Sequence, residues 1–137
     1  MNHALRILLL DDDAFMLEML KDMLAALGYS HVHAETDARR ALKALPGFRP
    51  DLLVCDLSLP DMDGIEFLRT VAEEGFDGSV ILLSGMDSGI LRAAEMLAMA
   101  QGLTILGACS KPLSSTALAD LLEVAAGRPA QLHGDRK

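Results

Sequence analysis

The stretch between residues 51 and 64 constrains the fold of this chain more than any other. Its first half is a short apolar run that ends at Asp56, and a turn containing Pro60 and Gly64 follows. A run that is apolar on both faces is typical of a strand buried in a parallel sheet. Asp56 then lies at the carboxyl end of that strand, where open α/β sheets bind their ligands. Taken alone, Asp56 is equally well explained as a turn residue, because aspartate is common in turns.

The composition narrows the class of protein. The chain has 137 residues, about half of them hydrophobic, which is enough for one domain with its own core. Its net charge of −8 argues against a nucleic-acid surface and suits divalent cations or a basic partner. The N-terminal residues do not form a secretory signal, and no apolar run approaches membrane-spanning length. Cys55 and Cys109 lie in strand-like runs without metal-ligand spacing, so we expect reduced core cysteines in a cytoplasmic protein.

Strand-like and helix-like segments alternate along the chain. Predicted strands cover residues 5–10, 31–34, 52–56, 79–83 and 103–109. Predicted helices cover residues 14–27, 36–45, 65–74 and 87–101, and a last helix runs from residue 114 or 115 to residue 126. Asp13 is expected to cap the first helix, and Pro46 with Gly47 to end the second. This order predicts an α/β domain at residues 1–127, a doubly wound five-stranded parallel sheet with strand order 2-1-3-4-5. Residues 128–137 are expected to be a flexible tail or the start of a linker.

Two histidines lie two residues apart in the second predicted strand. His31 and His33 would face the same side of that strand, so a metal site is conceivable there. An edge strand with solvated histidines explains the same pattern and is the interpretation we favour.

Functional side chains follow four of the predicted strands, namely Asp11 with Asp12, Asp56, Ser84 and Lys111. With strands 1 and 3 as neighbours, three carboxylates share one crevice and need a positive charge beside them. Mg²⁺ commonly binds few carboxylates together with waters and a phosphate. A lysine ammonium and a serine hydroxyl suit phosphate oxygens. The pattern therefore predicts phosphoryl transfer to a free aspartate.

The segments that carry this pattern together resemble the receiver domain of two-component response regulators. They are Leu9-Leu10-Asp11-Asp12, Asp56-Leu57-Ser58-Leu59-Pro60-Asp61-Met62-Asp63-Gly64, Leu83-Ser84-Gly85 and Lys111-Pro112. The resemblance covers roughly residues 5–126 and implies a flavodoxin-like (βα)₅ fold. It also implies that Asp56 accepts a phosphoryl group from the phosphohistidine of a histidine kinase or phosphotransfer protein. Such a domain catalyses only its own phosphorylation and dephosphorylation.

The resemblance further implies a metal site. Mg²⁺ would be held by Asp12, Asp56 and the backbone carbonyl of Ser58, with Asp11 acting through a metal-bound water. By the same resemblance the phosphoryl oxygens would be held by Lys111, the Ser84 hydroxyl and the backbone amides of Leu57 and Gly85. The Lys111–Pro112 peptide bond is expected to be cis.

The resemblance has two departures. The aromatic residue usual three positions before the lysine is replaced by Ala108, and the stretch between Ser84 and Lys111 is longer than in the shortest family members, which predicts a long fourth helix. The segment before Ser110 is similar to receivers joined to EAL cyclic-di-GMP phosphodiesterase domains. The signal is expected to leave through the face around the fourth helix and fifth strand, toward an output domain, a partner protein or a second copy in a homodimer. On that helix the expected buried residues are Ile90, Leu91, Ala94, Leu97 and Ala98, with Met96 and Met99 exposed.

Two alternatives belong to other classes. A haloacid-dehalogenase-type hydrolase also uses an aspartyl phosphate and Mg²⁺, but it needs an aspartate two positions after the nucleophile, where this chain has Ser58. A flavodoxin-like cofactor binder needs a phosphate-binding loop after the first strand, where residues 11–13 are aspartates that repel phosphate.

Overall fold

Five parallel strands form the central sheet of the computed structural model, which describes residues 4–57, 64–85 and 88–127, without the side chains of Ser88 and Ile90. The strands are β1 (Ile7–Leu10), β2 (Val32–Glu35), β3 (Leu52–Asp56), β4 (Ser79–Ser84) and β5 (Thr104–Ser110). Their spatial order is β2-β1-β3-β4-β5, and every neighbouring pair is parallel. The predicted fold class and strand order are confirmed.

Within the described part of the chain, five helices cover the two faces of the sheet: α1 (Ala14–Ala26), α2 (Ala38–Phe48), α3 (Gly64–Glu73), α4 (Ser88–Ala100) and α5 (Ser115–Ala125). α1 and α5 pack on one face, while α2, α3 and α4 pack on the other. β1 and β3 supply fully buried residues to both cores, which is why their sequences are apolar without alternation. None of the described helices is long and apolar enough to cross a membrane.

Local capping signals fix several helix ends. The Asp13 carboxylate accepts hydrogen bonds from the amides of Phe15 and Met16, and the Ser114 hydroxyl accepts one from the amide of Ala117. Gly28 follows α1 with a φ of 94°, a left-handed conformation that glycine adopts without strain. The N-cap expected at Asp13 is confirmed.

The second helix departs from its predicted bounds. It begins at Ala38, capped by the Asp37 carboxylate, and it continues through Pro46 to Phe48. Its last turn is held from outside, because the Arg6 guanidinium lies 4.6 Å from the Phe48 ring centroid and its Nε donates to the Phe48 carbonyl at 2.6 Å. The helix ends where Arg49 turns to a φ of 54°, immediately before Pro50, a position that disfavours helical backbone. The expectation that Pro46 and Gly47 end this helix was therefore wrong.

Two expectations concern the edges of the sheet. The edge strand expected around His31 and His33 is confirmed: β2 is an edge strand, and His33 Nε2 lies 2.7 Å from Glu35 Oε2. On α4, Leu91, Ala94 and Ala98 are buried as predicted, but Leu97 is 48% exposed. Because α4 packs beside the edge strand β5, the sheet covers a narrower stripe of this helix than a helical-wheel projection predicts.

Candidate functional site

The register of the sheet brings the chemical groups of four strands to one edge. Leu10 pairs with Cys55, so Asp11 follows β1 beside Asp56, the last residue of β3. At the end of β4, Ser84 pairs with Ser110, and the Lys111 amide donates to the Ser84 carbonyl at 3.0 Å. The carboxyl ends of these strands thus deliver two carboxylates, a hydroxyl and an ammonium to one place.

Three carboxylates form a cluster at this edge. One oxygen from each of Asp11, Asp12 and Asp56 lies within 4.8 Å of the others. Asp11 and Asp56 are almost completely buried, each 1% exposed, whereas Asp12 is exposed. Buried carboxylates are costly unless a positive group accompanies them, so the cluster requires a cation.

Lys111 supplies part of that positive charge. Its Nζ atom lies 2.8 Å from Asp11 Oδ2 and 3.2 Å from Asp56 Oδ2. Burial acts to lower the pKa of the Lys111 ammonium, but contacts with Asp11 and Asp56 outweigh that effect and hold its pKa above the usual value. Lys111 is therefore charged at neutral pH and bridges the two buried carboxylates.

The donor set also fits a hard divalent cation. The Asp11 Oδ1 atom accepts a hydrogen bond from the Asp13 amide at 2.9 Å. Its buried Oδ2 atom accepts no hydrogen bond of good geometry from the described residues, although the Lys111 ammonium is close. Three carboxylates grouped beside one ammonium, with an exposed entrance at Asp12, suit a metal with oxygen ligands.

Of the three backbone groups predicted to bind the phosphoryl group or the metal, two belong to described residues and one does not. The Leu57 amide donates to the Leu83 carbonyl at 3.0 Å, which extends the β3–β4 pairing by one residue. Gly85 is exposed at the same edge. Ser58 lies outside the described residues, so its carbonyl stays a prediction. The Lys111–Pro112 peptide bond is cis, as expected.

Two further residues shape the site. The sequence analysis treated Asp13 only as a helix cap, but its backbone amide also donates a hydrogen bond to Asp11 and so orients that carboxylate. The spacing could have indicated this contact, because Asp11 lies two residues before the capping aspartate. Cys55 is buried directly before Asp56. Burial, with the charges of Asp56 and Asp11, raises the pKa of the Cys55 thiol far above its usual value, so it stays protonated, as expected of a core cysteine.

Comparison with known proteins gives a consistent picture. The sequence pattern of the response regulator receiver domain matches residues 7–123. The chemotaxis protein CheY of Thermotoga maritima is 32% identical over 81 residues, which cover 59% of this chain and 68% of that protein. The response regulator MprA of Mycolicibacterium vanbaalenii is 38% identical over 91 residues, covering 66% of this chain but only 39% of that regulator.

The fold has solved counterparts as well. The crystal structure of a response regulator from Colwellia psychrerythraea superposes with a TM-score of 0.76 at 32% identity. That superposition covers 90% of this chain and 98% of the other. The likeness therefore extends over nearly the whole chain.

Proposed function

Because the chain belongs to the response regulator receiver domain family, we propose that it is a phosphorylation-dependent switch with Asp56 as the phosphoryl acceptor. The observation that carries this proposal is the placement of Asp56. Its carboxylate is buried at the end of the central strand β3, grouped with Asp11 and Asp12, and 3.2 Å from an ammonium. A carboxylate held in this way is a suitable nucleophile for phosphoryl transfer.

The proposed reaction moves a phosphoryl group from the phosphohistidine of a histidine kinase or phosphotransfer protein. An ionised Asp56 oxygen attacks phosphorus, the O–P bond forms, and the P–N bond of the donor breaks. The electron pair of that bond stays on the departing imidazole, which takes up a proton. Asp56 becomes an acyl phosphate, and the protein catalyses only this step and the hydrolysis of that acyl phosphate to the free carboxylate and inorganic phosphate.

Lys111 and Ser84 are proposed to stabilise the transferred group. Once Asp56 carries a phosphoryl group, the Lys111 ammonium exchanges its contacts with the carboxylates for the new oxygens. Ser84 lies at the end of the neighbouring strand and can donate its hydroxyl proton to a phosphoryl oxygen. The amides of Leu57 and Gly85 are the proposed backbone donors. Since the Leu57 amide donates to the Leu83 carbonyl, that hydrogen bond has to be shared or released.

We assign Mg²⁺ to the acidic cluster. Asp12, Asp56 and the Ser58 carbonyl would hold it directly, and Asp11 through water. When bound, the cation neutralises the carboxylates and the charge on the phosphoryl oxygens. The excess of carboxylates over ammonium groups among the described residues at this edge supports this assignment.

The output surface is proposed to be the face of α4 and β5, acting on an output domain, a partner protein or a second copy. Met96 and Met99 are 65% and 54% exposed there. Because residue 108 is alanine and not the aromatic residue usual in the family, the signal would be transmitted by movement of Ser84 and of the segment that leads into α4. We propose a cytoplasmic location, with which the free thiols of Cys55 and Cys109 agree. No direct binding of nucleic acid or membrane is proposed.

Intact mass measured after incubation with acetyl phosphate and Mg²⁺ tests the function. A receiver retains one phosphoryl group on the protein and loses it slowly. A phosphohydrolase of the aspartyl-phosphate type would instead release phosphate continuously with little label retained. A protein that neither retains a phosphoryl group nor releases phosphate contradicts both.

A further inference from the structure

A pocket of about 260 Å³ lies between α4 and β5, and none of its lining residues belongs to the acidic cluster. It is lined by Gly89, Leu91, Arg92, Glu95, Ala108 and Ser110. Leu91 is buried, and Ala108 is partly buried against the same core, so these two apolar side chains lie on the core side of the pocket. Because the side chain of Ala108 on β5 is only a methyl group, it does not fill the pocket, and the space is large enough to accept a group from another molecule.

The polar part of the lining limits what that molecule is. Arg92 offers guanidinium donors, and Glu95 offers a carboxylate acceptor. Neither side chain has an ion-pair partner among the residues that the structure describes. The charge of Glu95 also acts on a neighbouring group. The pKa of the Cys109 thiol is raised, first by burial of the thiol and second by the negative charge of Glu95.

A phenol group satisfies both demands of this pocket. Its ring covers apolar surface, and its hydroxyl donates one hydrogen bond and accepts another. A carboxylate would be repelled by Glu95, an ammonium by Arg92, and a plain aromatic ring would make no hydrogen bond with either side chain. Tyrosine is the amino acid that presents a phenol, and it is enriched at protein interfaces.

We propose that this pocket binds the phenol side chain of a tyrosine on a partner protein. Two of its walls adjoin the acidic site: Ser110 directly precedes Lys111, and Gly89 lies in the first turn of α4, soon after Ser84. Occupancy of the pocket and phosphorylation therefore favour or oppose each other by the same factor. This coupling rests on the proposed function, whereas the binding itself does not.

The test is an NMR titration of the full chain with N-acetyl-tyrosinamide and with N-acetyl-phenylalaninamide, which differ only in the hydroxyl. Without Mg²⁺ or phosphoryl donor, the tyrosine compound should shift the amide signals of Leu91, Glu95, Ala108 and Ser110. Its Kd should be about 3- to 10-fold lower than that of the phenylalanine compound, as one or two net hydrogen bonds predict. Equal affinities, or shifts elsewhere on the protein, would overturn the assignment.

Matched variants distinguish binding in the pocket from binding elsewhere on the surface of α4. Ala108→Tyr fills the pocket from within and should abolish binding, while Ala100→Tyr adds the same ring to an exposed position of α4 and should leave it unchanged. Arg92→Met keeps the apolar floor and should remove most of the preference for the tyrosine compound, which keeps the test decisive if Ala108→Tyr does not fold. Retained binding in folded Ala108→Tyr, or an unchanged preference in Arg92→Met, contradicts the proposal.

Phosphorylation then tests the coupling separately. After acetyl phosphate and Mg²⁺, with label verified by mass, the Kd of the tyrosine compound should change at least about twofold. An unchanged Kd in labelled protein rejects the coupling alone, whereas absence of label rejects the proposed function and leaves the pocket assignment standing.

Discussion

The Lys111 ammonium lies closer to Asp11 than to Asp56, at 2.8 Å from Asp11 Oδ2 against 3.2 Å from Asp56 Oδ2. The carboxylate that it holds more closely is thus the one that is not proposed to react. Asp11 Oδ2 accepts no well-directed hydrogen bond within the described ranges, so this ammonium is its main compensation. A cation bound by the carboxylates would release Lys111 toward an incoming phosphoryl group.

Asp56→Asn should stabilise the metal-free protein. The substitution removes one of three clustered carboxylates and leaves Lys111 paired with Asp11, so the free energy of unfolding should rise by about 1 kcal/mol. Mg²⁺ at tenfold its Kd should stabilise the wild type by about 1.4 kcal/mol and the variant much less. Urea denaturation with and without Mg²⁺ measures both, with Asp22→Asn on the exposed face of α1 as control. An equal response to Mg²⁺ in wild type and Asp56→Asn would place the metal elsewhere.

Lys111 should make stability depend on alkaline pH. Its folded pKa is raised above the usual 10.5, so its contribution is fully present below pH 10.5 and is lost as the pH rises through the folded pKa. Lys111→Met should therefore be less stable than wild type at pH 7, and the difference should shrink above pH 10.5. Urea denaturation at a series of pH values tests this. A difference that stays constant to pH 11.5 would mean that the charge of Lys111 does not stabilise the fold.

Gly64→Ala should disturb the acidic site through backbone contact. A Cβ atom at Gly64 would lie 2.6 Å from both the Cα and the carbonyl oxygen of Leu57, directly after Asp56. Relieving that overlap should cost about 1–3 kcal/mol of stability and slow phosphorylation. Gly47→Ala is the matched control, because no atom of the described residues lies within 4 Å of the Cβ that it would add to α2. It should be neutral or stabilising by up to about 1 kcal/mol. Equal stabilities for the two variants would show that the close approach is relieved without strain.

The strand ends and most helix ends were predictable because their signals are local. Apolar runs that stop at Asp56 and Ser84, and caps at Asp13 and Ser114, are specified within a few residues of sequence. The end of α2 was not, because it is decided by Arg6, which contacts Phe48 from 42 residues away. The same holds for Leu97, whose exposure depends on how α4 sits beside the sheet edge.

The gathering of these side chains at one edge of the sheet was predictable, but their arrangement relative to one another was not. Strand order alone brings Asp11, Asp56, Ser84 and Lys111 together. The preference of Lys111 for Asp11 arises from side-chain geometry that no spacing encodes. The register shift between β4 and β5, which leaves Leu106 without a partner in β4, likewise had no signal beyond Gly107. The similarity to receivers joined to EAL domains stays a prediction.

Met96 and Met99 should mediate association of the phosphorylated protein. Both are exposed on a helix whose outer face carries few charges, and methionine adapts to varied contacts. Met96→Lys/Met99→Lys should therefore lose any increase in sedimentation coefficient that phosphorylation produces in the wild type. Phe15→Lys, at the 72% exposed aromatic of α1, is the control and should keep that increase. Wild type that sediments identically with and without the phosphoryl group would leave this face without a role in self-association.

The most direct test of the account is to locate the phosphoryl group formed from acetyl phosphate and Mg²⁺. Mass spectrometry of the intact protein and its peptides should find one phosphoryl group, on Asp56. The label should be absent from Asp56→Asn, absent from wild type in a metal chelator, and present in Asp22→Asn. A phosphoryl group that persists in Asp56→Asn at the wild-type level would contradict the central claim.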